Sequence, residues 1–566
     1  MRQLREAKPF SWLKSYPSDV RANLQYPEQS LSVFLERAVS QWPNQTATIF
    51  FGKKMTYAEL ADAVERFAAA LAELGIKKGD RVAVMLPNCP QTIISYFAVL
   101  HLGAVVVPIN PVNVGRELVP QLTEVGCKTI IYLDTRHPLI RSVREEAGIE
   151  NAIYTGLQDF MPYIASFNYR YRQYRKGLSL TVEPEAGVLN FSDLLEKSAP
   201  KAPRAEIDPQ NDLAVLQYTG GTTGTLKAAM LTHFNLVANA LQIKEWFVGC
   251  EEGKEVFLAA LPFFHVYGMT CVMNVALEMG ATMVLHPRFY TEHALKDIER
   301  YRVSIFPGAP AMYVAINSHK DTPFRDLSSV RVSVSGAAAL SPDVAYAFEE
   351  ITGGMLVEGY GLTEASPVTH CNPLTKERKP GSVGVPMPDT ECKIVDLEYG
   401  TKEMPVGVAG ELIIRGPQVM KGYWNKPEET EETLRDGWLY TGDIARLDKS
   451  GYTFIVDRKK DMIISGGYNI YPQDIEEVIL EMPEVEDVAV VGIPDRYRGE
   501  TLKAYIVLKE NANLTKADIL SHCKERLAAY KIPRLLDFRR ELPKNMVGKT
   551  LRRMLVEEEK SRPSGF

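Results

Sequence analysis

The stretch "YTGGTTGTLKAAMLTH", Tyr218–His233, says most about the fold. It follows the apolar run "LAVLQ" and leads into "LTHFNLVANALQI", a pattern typical of a helix. A loop rich in Gly and Thr that ends in Lys227 is typical of phosphate binding, because glycines let backbone N–H groups turn inward around an anion. The stretch does not fit G-x-x-x-x-G-K-[ST], since two residues separate Gly224 from Lys227 and alanine follows the lysine. A flexible turn without a ligand is the alternative.

Composition and charge restrict the class of the 566-residue chain. Apolar residues make up 45% and charged residues 24%, as in a globular protein of about three to five domains or subdomains. The net charge of -6 argues against a general nucleic-acid binder, so we expect no nucleic-acid partner. The seven cysteines include no C-x-x-C pair, which argues against a disulfide framework or a zinc site and favours a reducing, cytoplasmic compartment.

Neither a secretion signal nor a membrane span is expected. The N-terminal sequence "MRQLREAKPFSWLKSYP" lacks the apolar segment of a signal peptide. The longest apolar run, near "YFAVLHLGAVVVPI", is shorter than the roughly 18 residues of a spanning helix and includes a histidine and a glycine. It therefore predicts a buried helix followed by a strand.

Residues 56–111 alternate between helix and strand patterns. "TYAELADAVERFAAALAELGI" has apolar residues at helical spacing, and Thr56 with Glu59 forms the pattern of a capping box. "DRVAVMLPN" indicates a short buried strand, "QTIISYFAVLHLG" a second helix and "AVVVPINP" a second strand. Because this alternation continues to about residue 340, we predict an α/β fold of parallel sheets covered by helices.

The pattern changes towards the C-terminus. Residues 380–457 contain short strands separated by Gly and Pro, which predicts a small β-rich subdomain. After "RKKD" come a strand, a glycine turn, a helix and further strands, the pattern of a separate α+β unit of about 100 residues. We place a domain boundary at about residue 459.

One segment breaks the α/β alternation. "FMPYIASFNYRYRQYRKG", Phe160–Gly177, interleaves aromatic residues with arginines and a lysine. Two interpretations stay open. It is either a basic amphipathic element that contacts anionic lipid, or an inserted segment whose tyrosines pack while its arginines face water.

Two further stretches have the chemistry of nucleotide binding. In "EGYGLTE", glycines flank Tyr360, so that its ring can lie against a planar partner such as adenine. Thr363 can donate to a phosphate, and Glu364 is a hard oxygen ligand suited to Mg²⁺. In "YTGD", Asp443 follows a glycine turn and can accept hydrogen bonds from both ribose hydroxyls. In addition, "PKNMVGKTLRR" places the long cation Lys549 on a C-terminal tail.

These motifs together resemble the adenylate-forming superfamily, which includes acyl-CoA synthetases, aryl-CoA ligases, luciferases and adenylation domains. The resemblance is carried, in order, by "YTGGTTGTLK", "LPFFHVYG", "EGYGLTE", "YTGD", "VDRKKDMIISGGYNIYP" and "PKNMVGKTLRR". It extends from about residue 30 to residue 556. The "YTGGTTG" form, the aromatic-basic segment and the C-terminal sequence are most similar to bacterial long-chain fatty acid–CoA ligases.

The resemblance implies a two-step ligase with ATP and CoA as co-substrates and Mg²⁺ as cofactor. A fatty acid carboxylate would attack the α-phosphate of ATP to give acyl-AMP and pyrophosphate, and the CoA thiol would then take the acyl group and release AMP. It also implies a large N-terminal domain over residues 1–457, a hinge at 458–460 and a small mobile α+β domain over 461–566.

The resemblance further implies roles for individual residues. The chain departs from the family pattern at three places. Gly220 stands where serine is frequent, and Leu226-Lys227-Ala228 stands where Pro-Lys-Gly is frequent. Ile464 stands where some relatives carry a lysine, so no catalytic role is assigned to that position. Local alternatives are a core histidine for His265 and a solvated charge for Lys460. The implied roles are catalysis for Lys227, His265, Thr363 and Lys549; ATP or AMP binding for Thr219, Gly220, Gly221, Thr222, Thr223, Gly224, Gly336, Glu358, Gly359, Tyr360, Asp443, Arg458 and Lys460; CoA binding for Gly466 and Gly467; and Mg²⁺ binding for Thr222 and Glu364.

Other functions stay open beside the long-chain fatty acid–CoA ligase. An aryl- or medium-chain acyl-CoA ligase would use the same scaffold. A luciferase-type oxidase would need oxygen chemistry to which no motif points. A non-catalytic acyl-binding relative would have been free to lose Lys227, Glu364, Asp443 and Lys549. Peripheral contact with the inner face of the membrane through residues 160–177 and a homodimer are further alternatives.

Overall fold

The computed structural model describes residues 10–178, 180–219, 226–465, 468–495, 499–544 and 550–561. The strands within these ranges are, in chain order, β1 Thr46–Phe50, β2 Lys53–Thr56, β3 Arg81–Met85, β4 Val105–Pro108, β5 Thr129–Leu133, β6 Asn151–Thr155, β7 Val188–Asn190, β8 Leu213–Thr219, β9 Lys227–Thr232, β10 Val256–Ala259, β11 Thr282–Leu285, β12 Ile305–Gly308, β13 Val332–Ser335, β14 Met355–Gly361, β15 Val368–Cys371, β16 Val385–Pro386, β17 Glu391–Val395, β18 Gly410–Arg415, β19 Leu434–Arg435, β20 Trp438–Leu447, β21 Thr453–Arg458, β22 Ile463–Ser465, β23 Tyr468–Ile470, β24 Val485–Asp495, β25 Gly499–Leu508 and β26 Leu535–Arg539.

The α-helices are α1 Val33–Gln41, α2 Tyr57–Glu73, α3 Pro90–His101, α4 Gly115–Val125, α5 His137–Val143, α6 Tyr163–Arg175, α7 Phe191–Lys197, α8 His233–Trp246, α9 Val266–Gly268, α10 Val275–Glu278, α11 Thr291–Tyr301, α12 Pro310–Asn317, α13 Pro342–Thr352, α14 Pro427–Thr433, α15 Pro472–Leu480, α16 Lys516–Arg526 and α17 Arg552–Ser561. Short 3₁₀ helices cover Ser11–Ser15, Asp134–Arg136, Leu157–Phe160, Thr322–Phe324, Thr363–Ala365 and Ala529–Lys531, and a π-helical turn covers Met269–Asn274.

The predicted capping box is present at the start of α2. The Thr56 side chain accepts a hydrogen bond from the Glu59 backbone at 3.2 Å, and the Glu59 carboxylate accepts one from the Thr56 backbone at 2.7 Å. These bonds satisfy backbone donors that a helix start leaves unpaired. α2 buries one apolar side and packs against α3 and α7, as the helical spacing predicted.

Two mainly parallel sheets form the larger part of the fold. One has the order β7-β6-β5-β3-β4-β8-β9, and the other has the order β16-β15-β14-β13-β12-β10-β11-β1-β2. The exceptions to parallel pairing are towards the edges, where β9 pairs with β8, β2 with β1, β15 with β14 and β16 with β15 in antiparallel fashion. The prediction of an α/β fold with helix-covered parallel sheets is confirmed.

The "KAAMLT" part of the opening stretch is strand β9, paired antiparallel with β8. The following helix begins only at His233, where the Thr232 side chain accepts the Asn235 backbone N–H at 3.2 Å. The predicted helix pattern from Leu231 onward therefore begins two residues too early. The difference has a physical reason, since Thr232 is a good helix cap and β-branched residues also suit a strand edge.

Smaller sheets follow in the C-terminal half of the chain. β17, β18 and β20 are neighbours, with β21 on the other side of β20. A last sheet has the order β23-β22-β25-β24, and β26 pairs parallel to β25. Its two faces are both covered: Val488 and Val490 pack with α15 and α16, while Val491 packs with Leu555 of α17.

The chain divides into two compact units. The first contains the described residues of Met1–Lys14, Cys392–Ile414 and Trp438–Phe566, and the second contains the described residues of Ser15–Glu391 and Arg415–Gly437. Throughout the described ranges, every helix is too short or too polar to cross a lipid bilayer.

Candidate active site

The two strands on either side of the Gly/Thr loop are joined in register. Thr219 at the end of β8 pairs with Lys227 at the start of β9, so the loop leaves and returns at one point of the sheet edge. Both residues are half-buried. The predicted loop residues lie outside the described residues; they are Gly220, Gly221, Thr222, Thr223 and Gly224.

Lys227 and Glu364 both contact the side chain of Tyr423. The Lys227 Nζ lies 5.1 Å from the centroid of the Tyr423 ring, and the Tyr423 hydroxyl donates to Glu364 Oε1 at 2.8 Å. Burial, and then the Glu364 carboxylate, raise the pKa of Tyr423 above its usual range, so the hydroxyl keeps its proton. A cation and a carboxylate, predicted from motifs far apart in the sequence, are thereby brought together at the base of the Gly/Thr loop.

Backbone hydrogen bonds hold Tyr423 in this place. The Trp424 N–H donates to the Ala228 carbonyl at 2.8 Å, and the Met230 N–H donates to the Gly422 carbonyl at 2.8 Å. The Met420 N–H donates to the Glu364 carbonyl, also at 2.8 Å. Residues 420–424 are thus hydrogen-bonded both to β9 and to the turn that carries Glu364. Sequence reasoning missed Tyr423; its signal was the "KGYWN" stretch, a glycine before two aromatic residues in a polar loop.

The "EGYG" residues form the end of β14. A side chain on Gly361 would place its Cβ 2.1 Å from the Pro367 carbonyl oxygen, so only glycine fits there. The Tyr360 ring lies edge-on to His370 at 5.9 Å, and burial lowers the pKa of His370 to about 3. Burial also raises the pKa of Glu358 to about 8, opposed by a backbone hydrogen bond at Leu340.

The remaining residues of this motif lie next to these. Gly359 pairs with Cys371 across β14 and β15, and its Cβ position faces Val334 at 3.2 Å. Thr363 is half-buried and begins the 3₁₀ turn that carries Glu364. The predicted adenine, phosphate and metal residues of "EGYGLTE" are therefore consecutive along one strand end and turn.

His265 and Gly336 are linked through Tyr267. The His265 Nδ1 accepts the Tyr267 backbone N–H at 3.2 Å, which places the imidazole at the start of α9. A Cβ on Gly336 would lie 3.0 Å from carbons of the Tyr267 ring, so this glycine allows the close approach. The Gln217 side chain of β8 donates to the Phe264 carbonyl at 3.1 Å and connects this segment to the strand before the Gly/Thr loop.

Asp443 and Arg458 form an ion pair on neighbouring strands. They are paired in register between β20 and β21, with Arg458 Nε 3.1 Å from Asp443 Oδ1. Asp443 is buried, and its backbone N–H donates to the Thr441 hydroxyl at 3.1 Å. Gly442 has a φ of +70°, a left-handed conformation that glycine adopts without strain. The predicted ribose ligands are thus adjacent to each other.

Lys460 lies in the turn that follows β21. The N–H groups of Asp461 and Met462 both donate to the Arg458 carbonyl at 3.0 Å, which closes the turn. Lys460 is an exposed residue, and desolvation lowers the pKa of its ammonium group while the Asp461 carboxylate opposes that shift.

The remaining predicted residues, Gly466, Gly467 and Lys549, lie outside the described residues. Residues flanking them are fixed: Ser465 pairs with Tyr468, and Lys544 pairs with Thr550.

A half-buried arginine, Arg552, follows the Lys549 segment. Arg552 Nη2 lies 2.6 Å from Glu476 Oε2, and its Nη1 lies 3.5 Å from Asp461. The Glu476 Oε1 also accepts the Val490 N–H at 2.7 Å. Arg552 therefore fixes the start of α17, three residues after Lys549, to α15 and to the turn after β21. Sequence reasoning missed this role, because the two arginines of "LRR" give no sign of which one pairs with Glu476.

Comparison with known proteins identifies the family to which the chain belongs. Residues 35–424 match the family "AMP-binding enzyme", and residues 474–549 match "AMP-binding enzyme C-terminal domain". The chain belongs to the AMP-binding enzyme family. The resemblance predicted from the six motifs, and the prediction of an enzyme, are therefore confirmed.

Three relatives illustrate the likeness of this AMP-binding enzyme to characterised proteins. A long-chain-fatty-acid–CoA ligase of Bacillus subtilis (strain 168) is 44% identical over 549 residues, which are 97% of this chain and 98% of that protein. A feruloyl-CoA synthase of Amycolatopsis sp is 35% identical over 526 residues, 93% of this chain and 98% of the other. The crystal structure of ATP-bound MatB from Rhodopseudomonas palustris superposes with a TM-score of 0.83 at 29% sequence identity. The matched region covers 94% of this chain and 99% of the MatB chain.

The side chains that could hold a metal ion in this AMP-binding enzyme were compared with what Mg²⁺ requires. Within the part of the chain that the structure describes, no group of three or more His, Cys, Asp or Glu side chains is placed to hold a metal. Mg²⁺ needs only one or two carboxylates when nucleotide phosphates supply other ligands. The predicted Mg²⁺ ligand Glu364 has a carboxylate that accepts the Tyr423 hydroxyl, and its metal role stays a prediction.

Proposed function

We propose that this AMP-binding enzyme is an ATP-dependent long-chain fatty acid–CoA ligase. The observation that carries the proposal is the meeting of Lys227 and Glu364 on Tyr423 at the base of the Gly/Thr loop. A cation and a metal-binding carboxylate at one loop suit a nucleotide triphosphate. The 44% identity to a relative named long-chain-fatty-acid–CoA ligase supports the choice of substrate.

In the first half-reaction, a carboxylate oxygen of the fatty acid attacks the α-phosphorus of ATP. The bond from that phosphorus to the bridging oxygen breaks, and pyrophosphate leaves. The acid needs no general base, because a carboxylic acid is already ionised near pH 7. Lys227 is proposed to hold the departing phosphates, together with Thr219 and the residues of the Gly/Thr loop.

The charge that develops at the α-phosphate is assigned to three groups. Thr363 donates its hydroxyl to that phosphate, and Lys549 bridges it and the attacking carboxylate. A positioned cation in a site with little water is among the largest contributions to catalysis. Glu364 and Thr222 would hold Mg²⁺, which would supply positive charge against the phosphates. Tyr423 keeps the Glu364 carboxylate oriented for this role.

The nucleoside is assigned to two groups of residues. Glu358, Gly359, Tyr360 and Gly336 are proposed to surround the adenine and the adenylate. Asp443 accepts hydrogen bonds from the ribose hydroxyls. Its ion pair with Arg458 supports this role, because a carboxylate already held in one orientation loses little conformational entropy when it binds the two hydroxyls. His265 is assigned to the junction of acyl and nucleotide sites.

In the second half-reaction, the sulfur of CoA attacks the acyl carbon of the adenylate. The carbon–oxygen bond to the phosphate breaks, AMP leaves and the thiol proton passes to solvent. We assign Gly466 and Gly467 to the pantetheine arm, because glycines leave room for a narrow chain. We place the hinge at residues 458–460, between domains 1–457 and 461–566, with Lys460 absorbing the change in backbone angles.

A product assay tests the proposal. Purified enzyme is incubated with ATP, Mg²⁺ and CoA and with fatty acids from hexanoate to oleate, and the products are identified by mass spectrometry. AMP and a long-chain acyl-CoA are expected in equal amounts. An acyl-AMP that never becomes acyl-CoA would contradict the ligase, and the absence of any adenylate would contradict an enzyme of this mechanism.

An aryl-CoA ligase is the second candidate. It is favoured by the 35% identity to a relative named feruloyl-CoA synthase over 93% of this chain. The same assay with ferulate, coumarate and benzoate separates the two candidates. Turnover of the aromatic acids alone would replace the fatty acid as substrate and leave the adenylate mechanism in place.

For its cellular setting, we propose a cytoplasmic enzyme with peripheral contact to the inner face of the membrane through residues 160–177. The dispersed cysteines and the amphiphilic substrate support this setting. A homodimer is proposed as its assembly state and is tested by the mass in analytical ultracentrifugation, where a monomer of 63.3 kDa would contradict it.

A further inference from the structure

The proposed ribose ligand Asp443 lies in a bulge of the sheet formed by β18 and β20. On β20, residues 441–443 lie between two positions that pair in register with β18, while the single residue Leu412 of β18 lies between the matching partners. Three residues therefore lie opposite one. A bulge interrupts the ladder of backbone hydrogen bonds and redirects the side chains that it carries. The direction of the Asp443 carboxylate thus depends on the contacts that hold these three residues.

The Thr441 side chain replaces part of the interrupted ladder. Its hydroxyl donates to the Leu412 carbonyl at 2.7 Å and accepts the Asp443 backbone N–H at 3.1 Å. A hydroxyl group can do both at once, because it carries one donor and two acceptor lone pairs. The two strands are thereby joined across the bulge, and the backbone of Asp443 is fixed at its N–H.

Glu411 of β18 binds the middle residue of the bulge. Its Oε1 accepts the Gly442 N–H at 3.2 Å, and its Oε2 accepts a hydrogen bond from Lys459 Nζ at 2.7 Å. The backbone N–H of Lys459 in turn donates to the Gly442 carbonyl at 2.9 Å. Both backbone polar groups of Gly442 are therefore bonded to this pair of oppositely charged residues. All three residues belong to the same compact unit.

Glu411 is a charged residue in an apolar part of β18. Its side chain is 6% exposed, and the three residues that follow it, Leu412–Ile414, are at most 4% exposed. Taking a carboxylate and an ammonium group out of water costs free energy that their attraction offsets only in part. Apolar residues at such positions often give equal or greater stability. The pair of Glu411 and Lys459 therefore gains the sheet little stability, and its contacts with the bulge point to a role at Asp443.

We propose that Glu411 is a positioning residue for the nucleotide. It fixes Gly442, and with it the direction in which the next residue, Asp443, presents its carboxylate to the ribose hydroxyls. Arg458 binds the Asp443 carboxylate itself, whereas Glu411 holds the backbone that carries it. This role deepens the proposed function and rests on it in one respect, since Asp443 is there assigned to the ribose.

Discrimination between ribose and deoxyribose measures this role. Initial rates of pyrophosphate release by the full-length enzyme are measured with ATP, 2′-deoxy-ATP and 3′-deoxy-ATP, which gives kcat and KM for each nucleotide. We expect the wild type to prefer ATP by about tenfold or more in kcat/KM, because each missing hydroxyl removes a hydrogen bond to the Asp443 carboxylate. Asp443→Ala is expected to remove this preference.

Glu411→Met keeps the length of the side chain and removes both acceptor oxygens. We expect the KM for ATP to rise about tenfold and the preference for ATP to approach that of Asp443→Ala, because a displaced carboxylate no longer binds the hydroxyls. The kcat at saturating ATP is expected to stay within about threefold of the wild type, since a residue that supports ribose binding acts mainly through KM. Glu411→Gln keeps an oxygen for the Gly442 N–H and is expected to keep most of the preference.

Variants of the neighbouring contacts repeat the test at less buried residues. Thr441→Val removes the hydroxyl and is expected to lower the preference for ATP, whereas Thr441→Ser is expected to keep it. Lys459→Met removes the partner of Glu411 Oε2 and is expected to lower the preference as well. The control Glu481→Gln removes an exposed carboxylate that pairs with Arg526 at 3.1 Å in the same compact unit, and is expected to match the wild type. Thermal-unfolding midpoints check that each variant is folded.

Two results would overturn the role of Glu411 and leave the ribose assignment in place. In the first, Glu411→Met and Lys459→Met keep the wild-type preference while Asp443→Ala loses it; if Glu411→Met does not fold, Lys459→Met and Thr441→Val decide this outcome. In the second, Glu411→Met loses kcat/KM equally for all three nucleotides, which would make Glu411 a residue of the fold alone. A preference that is absent in the wild type, or that survives in Asp443→Ala, would instead overturn the ribose assignment and this role with it.

Discussion

At the scale of single residues, Tyr423 connects Lys227 and Glu364, which lie more than 130 positions apart in the sequence. Its ring receives Lys227 and its hydroxyl binds Glu364, so one side chain orients both the proposed phosphate ligand and the proposed metal ligand. A hydrogen bond to a charged group contributes about 1.5–3 kcal/mol, more than a neutral one, because the ionised acceptor strengthens it. Tyr423 is therefore a positioning residue whose loss has a measurable chemical consequence.

Tyr423→Phe keeps the ring and removes only the hydroxyl. We expect an increase of about tenfold or more in the Mg²⁺ concentration needed for half-maximal pyrophosphate release, because the Glu364 carboxylate loses its orienting bond. The measurement is a Mg²⁺ titration of initial rates. Tyr399→Phe, at an exposed site, is the control and is expected to match the wild type. An unchanged Mg²⁺ dependence in Tyr423→Phe would remove Tyr423 from the proposed mechanism.

Glu358 makes stability depend on pH. Its pKa in the folded protein is about 8 against an ordinary value of 4.5, because burial disfavours the charged form. The folded state therefore binds the proton more tightly than the unfolded state. The resulting stabilisation is complete below pH 4.5 and is lost as the pH rises towards about 8, at up to about 1.4 kcal/mol per pH unit.

The substitution Glu358→Gln replaces the ionisable carboxyl group with an amide that does not titrate. We expect the decline in unfolding free energy between pH 5 and pH 8 to be shallower in this variant than in the wild type. Urea unfolding at several pH values measures the slope. Glu350→Gln, at an exposed position of α13, is expected to keep the wild-type slope. Equal slopes in wild type and Glu358→Gln would show that another group sets the pH dependence.

At the scale of elements, local patterns predicted local structure well. The capping box at Thr56, the helix α2 and the strand–helix alternation that follows it were all predicted from residues that interact within a few positions. β9 was missed, because the antiparallel pairing of "KAAMLT" with β8 depends on where the loop between them returns. Tyr423 and Arg552 were missed for a related reason, since their partners are distant in sequence.

The start of α17 shows how one such distant contact stabilises an element. Glu476 is buried and pairs at 2.6 Å with the half-buried Arg552, so removing the arginine leaves the Glu476 carboxylate buried without its partner. Arg552→Met is expected to lower the unfolding free energy by about 3 kcal/mol. Arg553→Met, at the exposed neighbour that pairs with Glu557, is expected to change it by less than about 0.5 kcal/mol.

A double variant tests the cause of this loss. Arg552→Met combined with Glu476→Gln removes both charges, while the glutamine oxygen can still accept the Val490 N–H. We expect the double variant to recover more than half of the stability lost in Arg552→Met, because no unpaired charge stays buried. Urea unfolding of the four proteins gives the coupling energy. A double variant as unstable as Arg552→Met would assign the loss to packing of α17.

At the scale of the whole molecule, the proposed catalytic groups are divided between the two compact units. One unit carries Lys227, His265 and Glu364, and the other carries Asp443 and Arg458. Each group could be predicted from its own motif, but a motif gives no information on which distant side chain contacts it. The proposed two-step reaction predicts that its half-reactions can be lost separately.

Lys549→Ala tests that separation. Because Lys549 is proposed to stabilise charge only while the carboxylate attacks ATP, we expect adenylation to fall by about 10²–10³. Supplied with preformed acyl-AMP and CoA, the same variant is expected to form acyl-CoA at a rate close to wild type. Rapid-quench assays of each half-reaction measure both rates, and Lys524→Ala, an exposed lysine of α16, is the control. Equal losses in both half-reactions would mean that Lys549 supports the fold or both transition states, and the division of roles would have to be abandoned.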